Sequence, residues 1–370
     1  MPKMTIEDKR EHFVRLARFG DLVQTSEAVV QHILSKHLEF VPRKKLYKFR
    51  TCSNQNFYVL SKNSIWMPPM SSFNDVFDGL INVDMKKEIK AATKWLENNL
   101  YQYCFELAKH DIIKNGGTFP FKYGDYLEFI SVCTDGNGNI DPQAYAAHIY
   151  NNVSKRDLPE YEHVMTNLTK GCAYWEKNID ELARAILDSL WEEGLNFRDR
   201  LLVYCMTEHF DNPSLWENYA DNYSGYCIAY SFADYHKKSF NDYKNLIYLM
   251  PITYRRHQPS FDVISCLDDS LRLRLLKEPG YEKNSHIYID MNMQYYYKNK
   301  DYENEHEWRF AIDSSCGNLQ YFPFISAIYA GRNIKPRNLQ RLKNIAEKLN
   351  TPIYMQCISD DSNKFEYIKI

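Results

Sequence analysis

Residues 5 to 38 carry apolar side chains at helical spacing, with Phe13, Leu16 and Ala17 in one segment and Val29, Val30, Ile33 and Leu34 in the next. Thr5 with Asp8 has the spacing of a capping box, and Ser26 suits the cap of the second helix. After Pro42 the period shortens. Leu46-Tyr47-Lys48-Phe49-Arg50 alternates as a half-buried strand does. Ser53 and Asn54 then open a short helix that runs through Leu60. Ile65-Trp66-Met67 forms a second strand, ended by Pro68-Pro69 because proline cannot donate to a ladder.

From Met85 the pattern is helical again. Ile89, Ala92, Trp95, Leu96, Leu100, Cys104 and Leu107 make one apolar stripe up to Lys109. Tyr126 to Cys133 has the aromatic and β-branched content of a strand, with Asp135-Gly136-Asn137-Gly138 as its turn. Pro142 to Val153 and Asn178 to Glu193 are further helices. Strands return at Leu201-Leu202-Val203-Tyr204-Cys205-Met206, a continuous apolar run of the kind buried on both faces. Tyr226–Phe232, Leu246–Tyr254, Glu307–Asp313, Leu319–Phe324, Ser326–Gly331, Ile353–Ile358 and Glu366–Ile370 continue the strand series. Helices are expected at Phe261–Lys277, His286–Lys300 and Pro336–Leu349. The expectation is an α+β protein with three parts. Residues 1–45 form an N-terminal helical arm, 46–79 and 200–370 a mixed β core, and 80–199 a mostly helical insertion. The arm is a packing element or the contact of a homodimer.

Composition narrows the function classes. With 370 residues, 44% hydrophobic and a net charge of −2, the chain reads as soluble and does not indicate nucleic acid as a partner. No run approaches the roughly 18 apolar residues of a membrane span, and the charged N-terminus is unlike a signal peptide. The nine cysteines show no CxxC pairing and read as reduced thiols of a cytoplasmic protein. The 29 tyrosines suit cleft walls, although an A·T-rich genome accounts for them as simply.

Candidate chemistry falls in four clusters. Lys48 and Arg50 share one face of the first strand, opposite Tyr47 and Phe49, as a phosphate or carboxylate grip would; a solvated edge strand looks the same. The stretch Ser71 to Gly79 concentrates Asn74, Asp75 and Asp78, either to hold a ligand or to bond its own backbone in Asx turns. Thr207-Glu208-His209 follows the buried strand, with Trp216, Glu217 and Tyr219 behind it, and a lone His209 is more often an ordinary exposed histidine than a general base. Finally, Glu305 and Glu307 lie two apart before a strand, so they repel unless a cation separates them; Arg309 is on their face. No Walker loop, GxGxxG, GxSxG or HExxH is present.

These blocks resemble a bacterial family catalogued as domain of unknown function 2971. Leu46 to Arg50 is similar to its LYKYR, and Phe73 to Asp78 to its FNDPFD. Cys205-Met206-Thr207 stands for CFS, Leu215-Trp216-x-x-Tyr219-Ala220 with Gly225 for the MW-x-x-YA segment, and Tyr302-x-x-Glu305-x-Glu307-Trp308-Arg309 for W-x-x-E-x-E-W-R. Val76, Met206-Thr207 and Tyr302 depart from that pattern without removing a charge. The order of elements also resembles the ADP-ribosyltransferases, which have a split sheet. That second resemblance implies NAD as substrate. Arg50 or Lys48 would take the phosphates, Tyr47 or Trp66 would stack on nicotinamide, and Asn74 and Asp75 would add ligand contacts. Thr207 would play the hydroxyl role, Glu305 would activate the acceptor and Glu307 would be the catalytic carboxylate, with no metal ligand. It implies a transferase or NAD hydrolase, of the toxin or phage-defence kind, acting on an unidentified macromolecular acceptor. Two other readings remain. One is a Mg²⁺-dependent phosphodiesterase or nuclease using Asp75, Asp78, Glu305 and Glu307. The other is a non-catalytic ligand- or protein-binding module.

Overall fold

The computed structural model describes residues 27–370 apart from 74, 76, 77, 81, 115, 117, 118, 120, 121, 135–140, 153–157, 258–294 and 360–364. The first arm helix, Asn74, the 135–138 turn, the Phe261–Lys277 helix and most of the 286–300 segment therefore lie outside the described residues. In chain order the elements are α1 (Glu27–His37), β1 (Lys45–Arg50), α2 (Asn54–Ser61), β2 (Ser64–Trp66), α3 (Met85–Lys114), α4 (Tyr123–Cys133), α5 (Pro142–Asn152), α6 (Leu158–Lys177) and α7 (Ile179–Arg200). They continue with β3 (Leu201–Thr207), α8 (Pro213–Tyr219), β4 (Tyr226–Ser231), β5 (Leu249–Pro251), β6 (Thr253–Arg255), β7 (Tyr297–Asn299) and β8 (Glu307–Asp313). The last are β9 (Leu319–Tyr321), β10 (Ile325–Ala330), α9 (Pro336–Lys348), β11 (Ile353–Ile358) and β12 (Phe365–Lys369). The architecture is α+β. The chain divides into two units, one of Met1–Asn82, Gly194–Pro259 and Ile289–Ile370, the other of Val83–Glu193 and Ser260–Tyr288.

The first unit is built on an eight-stranded mixed sheet in the order β12-β11-β10-β4-β1-β3-β8-β5. Strand β1 is thus central, with β4 and β3 as neighbours, which removes the solvated-edge reading of Lys48 and Arg50. All neighbours run antiparallel except β10 and β11, which α9 connects as a crossover. Strands β3 and β8 pair along their whole length, from Leu201 opposite Asp313 to Thr207 opposite Glu307. Both are almost wholly buried, as the apolar run at Leu201 predicts. One face of the sheet, with Leu46, Tyr204, Ile228, Tyr230, Trp308 and Phe310, packs with Val30, Leu34 and Leu38 of the arm. The other face buries Tyr47, Phe49 and Cys227 against Leu215 and Trp216 of α8. Ser53 caps α2, its hydroxyl accepting from the Asn56 N–H at 3.1 Å.

The β1–β3 junction is unlike the others. The two strands share a single pair, Tyr47 opposite Thr207, whereas β1 pairs with β4 at six positions from Lys45 to Arg50. Beyond Tyr47 the sheet therefore opens between β1 and β3.

The second unit is helical in its described residues. Here Tyr126–Cys133 is a helix and not the strand its composition suggests. Tyr126, Phe129 and Cys133 recur at helical spacing, and all face one core with Phe105, Met165, Leu168 and Cys172. Tertiary packing of that stripe overrides β propensity. Helix α6, unrecognised in the sequence, supplies the facing stripe. Two further corrections fall in the first unit. Residues 295–300, expected to end a helix, instead include strand β7 paired in parallel with β6. Tyr295, Tyr296 and Tyr297 are all buried, which one side of a helix would not achieve. The Leu246–Tyr254 strand is a 3₁₀ turn followed by β5 and β6, which are separated by Ile252 and pair with different strands, β8 and β7.

Gly225 enters β4 where a Cβ would stand 2.2 Å from the carbonyl oxygen of Arg50. Gly225→Ala is expected to destabilise the protein by about 1–3 kcal/mol, read as a lower urea midpoint with unchanged slope. An unchanged midpoint would show that the β1–β4 approach yields easily.

Candidate functional site

A cavity of about 490 Å³ lies where β1 and β3 part. Lys48 and Arg50 line it from β1, Cys205, Met206 and Thr207 from β3, and Glu305, Glu307 and Lys298 from the β7–β8 region. Tyr47, Phe49, Phe73, Tyr219 and Tyr302 add aromatic surface, and Asp75 and Asp78 lie on its wall. By strand alternation Lys48 and Arg50 belong to the Tyr204 face, while Thr207 and Glu307 belong to the other. Because the strands separate there, groups from both faces reach one space.

Strand pairing places Glu307, Arg309 and Cys205 side by side at the rim of the opening. They anchor a continuous ladder of charges. Arg309 donates from both terminal nitrogens to Asp78, at 2.8 and 2.6 Å, and from Nε to Glu307 at 2.7 Å. It also donates to the Tyr295 carbonyl at 2.7 Å. Lys298 joins Glu307 at 2.9 Å to Glu305 at 2.6 Å. Tyr219 donates its hydroxyl to Glu305 at 3.0 Å. Thr207 donates to the Glu305 backbone carbonyl at 2.7 Å and accepts from the His209 N–H, so its hydroxyl fixes the turn that carries the glutamate.

The electrostatics follow from this geometry. Burial opposes ionisation of Glu307, but Arg309 and Lys298 outweigh it and hold the carboxyl well below the usual carboxylate range. Burial likewise opposes the charge on Lys298, and Glu307 and Glu305 overcome it and raise its pKa. The Cys205 thiol is pushed up to about 12, by burial first and then by Glu307, so it is a hydrogen-bonding neighbour and not a nucleophile. Lys48 behaves oppositely. Burial and the adjacent Arg50 pull it down to about 8, and Cys205, Glu307 and Glu305 offset this only in part. Among the described residues neither Lys48 nor Arg50 makes an ion pair. Both sit against the Tyr204 ring, at 5.3 and 5.2 Å from its centre. The buried hydroxyl of Tyr226, on which Arg50 is the strongest nearby charge, has no hydrogen-bond partner among the described residues.

Arg50, Lys48, Tyr47, Thr207, Glu305, Glu307 and Asp75, singled out by sequence, thus line one cavity. Trp66 does not. It stands on β2, half-exposed and paired with Leu319 of β9. Sequence reasoning missed Lys298, hidden in a segment read as helix, although three successive tyrosines before it are a strand signal. Asp78, which the sequence offers either to a ligand or to an Asx-turn network, is the partner of Arg309. The cation expected between Glu305 and Glu307 is Lys298, and Arg309 closes the far side of Glu307.

A second cavity of about 430 Å³ shares Asp75, Asp78, Lys298 and Tyr302 with the first and adds Arg255, Arg256 and His257. The model of the family described as a protein of unknown function, DUF2971, matches residues 215–310. The match covers the Leu215-Trp216-x-x-Tyr219-Ala220 block and the Glu305-x-Glu307-Trp308-Arg309 block; Arg50 and Thr207 precede it. No curated protein and no solved structure matches the chain. Among the described residues no helix is long and apolar enough to cross a membrane.

Removing Asp78 takes the carboxylate away from both terminal nitrogens of the buried Arg309 and leaves Glu307 as its one anionic partner among the described residues. Asp78→Ala is expected to lower unfolding free energy by about 3–5 kcal/mol, measured by urea denaturation; a loss below about 1 kcal/mol would mean that the ladder is solvated. For Lys48 the sign is opposite. Its folded pKa lies below the ordinary 10.5, so the charged form weakens the fold and the unfolded chain binds the extra proton between pH 8 and 10.5. Lys48→Met should therefore be more stable than wild type at pH 7, with the gain fading as pH rises through that window. A pH-independent difference would contradict the depressed pKa.

Proposed function

Taking residues 215–310 as a segment of the DUF2971 family, we propose that the protein binds a pyrophosphate-bearing dinucleotide of the NAD type and transfers or hydrolyses its ribosyl group. One observation carries this reading: two cations without carboxylate partners and a fixed, ionised glutamate line the same cavity. The volume is within the range of small-molecule sites. Arg50 and Lys48 take the phosphates, and Tyr47, Phe49 or Phe73 offers a ring to the nicotinamide. Cleavage of the bond between nicotinamide nitrogen and ribose C1′ sends the bonding pair out with neutral nicotinamide and leaves positive charge on the sugar. Glu307 stabilises that charge, and the low dielectric of its surroundings strengthens the effect. Water or an acceptor hydroxyl then attacks C1′, its proton passing to Glu305.

Chemistry of the same carboxylates speaks less for a Mg²⁺-dependent phosphodiesterase. Asp78, Glu305 and Glu307 already have Arg309 and Lys298 between them, so a divalent ion would have to displace a buried cation. A non-catalytic binding role would use the same cations and would differ only in turnover.

The test is nicotinamide release from NAD, followed by chromatography. Glu307→Gln is expected to reduce it by about 10²–10³-fold while ADP-ribose still binds. Arg50→Ala should weaken ADP-ribose binding, and wild-type affinity should fall as pH rises above 8 and Lys48 loses its proton. Absence of both ADP-ribose binding and nicotinamide release, with protein and nucleic-acid acceptors supplied, would refute the proposal. Binding without release would leave the protein as a binding module.

A further inference from the structure

Next to the cavity, the end of β3 and the turn before β8 bring Glu208, His209 and His306 together. Their ligating atoms, one carboxylate oxygen and one ring nitrogen from each histidine, all lie within 4.8 Å of one another. The imidazole rings meet edge to face, 4.7 Å between centres. Both histidines are exposed and Glu208 is half-buried. The indole N–H of Trp308, a fully buried side chain, donates to Glu208 Oε1 at 2.8 Å. Such a bond fixes a carboxylate in one rotamer before any ion arrives, as outer hydrogen bonds do at metal centres.

The backbone ties the same three residues. The Glu208 N–H donates to the His306 carbonyl at 3.2 Å, which holds the two chain segments in register. His306 adopts φ +43°, ψ +51°, a left-handed conformation that a histidine rarely takes without a local reason. With φ positive there, Glu305 and Glu307 turn to Lys298 while His306 stands on the other side with His209. In the ladder every carboxylate touches a cation, with Arg309 and Lys298 shared among the three. Here a carboxylate and two imidazoles converge with no cation between them among the described residues.

We propose that Glu208, His209 and His306 bind a divalent transition metal ion of the zinc class. Two neutral imidazoles and a carboxylate are the donors such ions prefer, and three protein ligands leave one position of a tetrahedron to water. The ion would clamp the β3 exit to the turn carrying Glu305 and Glu307, making it a positioning device for the cavity. The site stands whether or not the ribosyl reaction proposed above is correct, because its test needs no substrate.

Purified full-length protein, stripped with chelator, is titrated with Zn²⁺ by calorimetry and with Co²⁺ by visible absorption. The expected result is one ion per chain, with the visible bands of tetrahedral or five-coordinate Co²⁺. His209→Ala and His306→Asn should each weaken binding by at least the roughly 10–100-fold that loss of an outer-shell partner costs, while His236→Ala, remote in sequence, should not. Asn tolerates the left-handed conformation, so His306→Asn keeps the backbone; its metal-free melting temperature should stay near wild type. If wild type takes up no stoichiometric ion, or if both variants bind it as wild type does, the proposal is overturned.

Discussion

Five charged side chains from two distant parts of the chain, Asp78 on one side and Lys298, Glu305, Glu307 and Arg309 on the other, form one hydrogen-bonded ladder, and the site depends on it. Arg309 and Glu307 are buried in strand β8, where an isolated charge would be expelled or neutralised. Alternation of sign lets each carry its charge. Asp78 takes both terminal nitrogens of Arg309, which leaves Nε for Glu307, and Lys298 then joins the two glutamates. Replacing the whole ladder by apolar residues of equal volume need not destabilise the fold, since buried ion pairs contribute little net stability. What the ladder supplies is a glutamate that stays ionised in a poorly solvated place.

The second constraint is the single pair between β1 and β3. A fully zipped junction would leave Lys48 and Arg50 on one face of the sheet and Glu307 on the other. With only Tyr47 and Thr207 paired, the strands separate and the two faces communicate through the opening. The cations of β1 are held by β4 along the strand's whole length and by the Tyr204 ring, so they are ordered without a carboxylate. The two cations of β1 and the carboxylates of the β7–β8 region thereby stand on opposite banks of one gap.

Much of the β core was legible because its strands carry unambiguous periods. Glu307–Asp313 and Ile353–Ile358 match the observed bounds, and Ser53 caps its helix as the sequence suggests. Lys48, Arg50, Thr207 and the two glutamates converge as their positions after or within strands imply. Misreadings occurred where local composition competes with tertiary packing. Tyr126–Cys133 looks like a strand until the facing stripe of α6 is seen, and the tyrosine run before Lys298 looks like the end of a helix. Lys298 was lost with it, although the repulsion between Glu305 and Glu307 already demanded a cation. The opening between β1 and β3 has no sequence signature at all, since it is a pairing that does not form.

A crystal structure of the protein soaked with NAD tests the central claim most directly. The account predicts the pyrophosphate beside Lys48 and Arg50 and the nicotinamide-bearing ribose carbon against Glu307, on the two banks of the gap. Dinucleotide bound elsewhere, or a pyrophosphate remote from both cations, would contradict it.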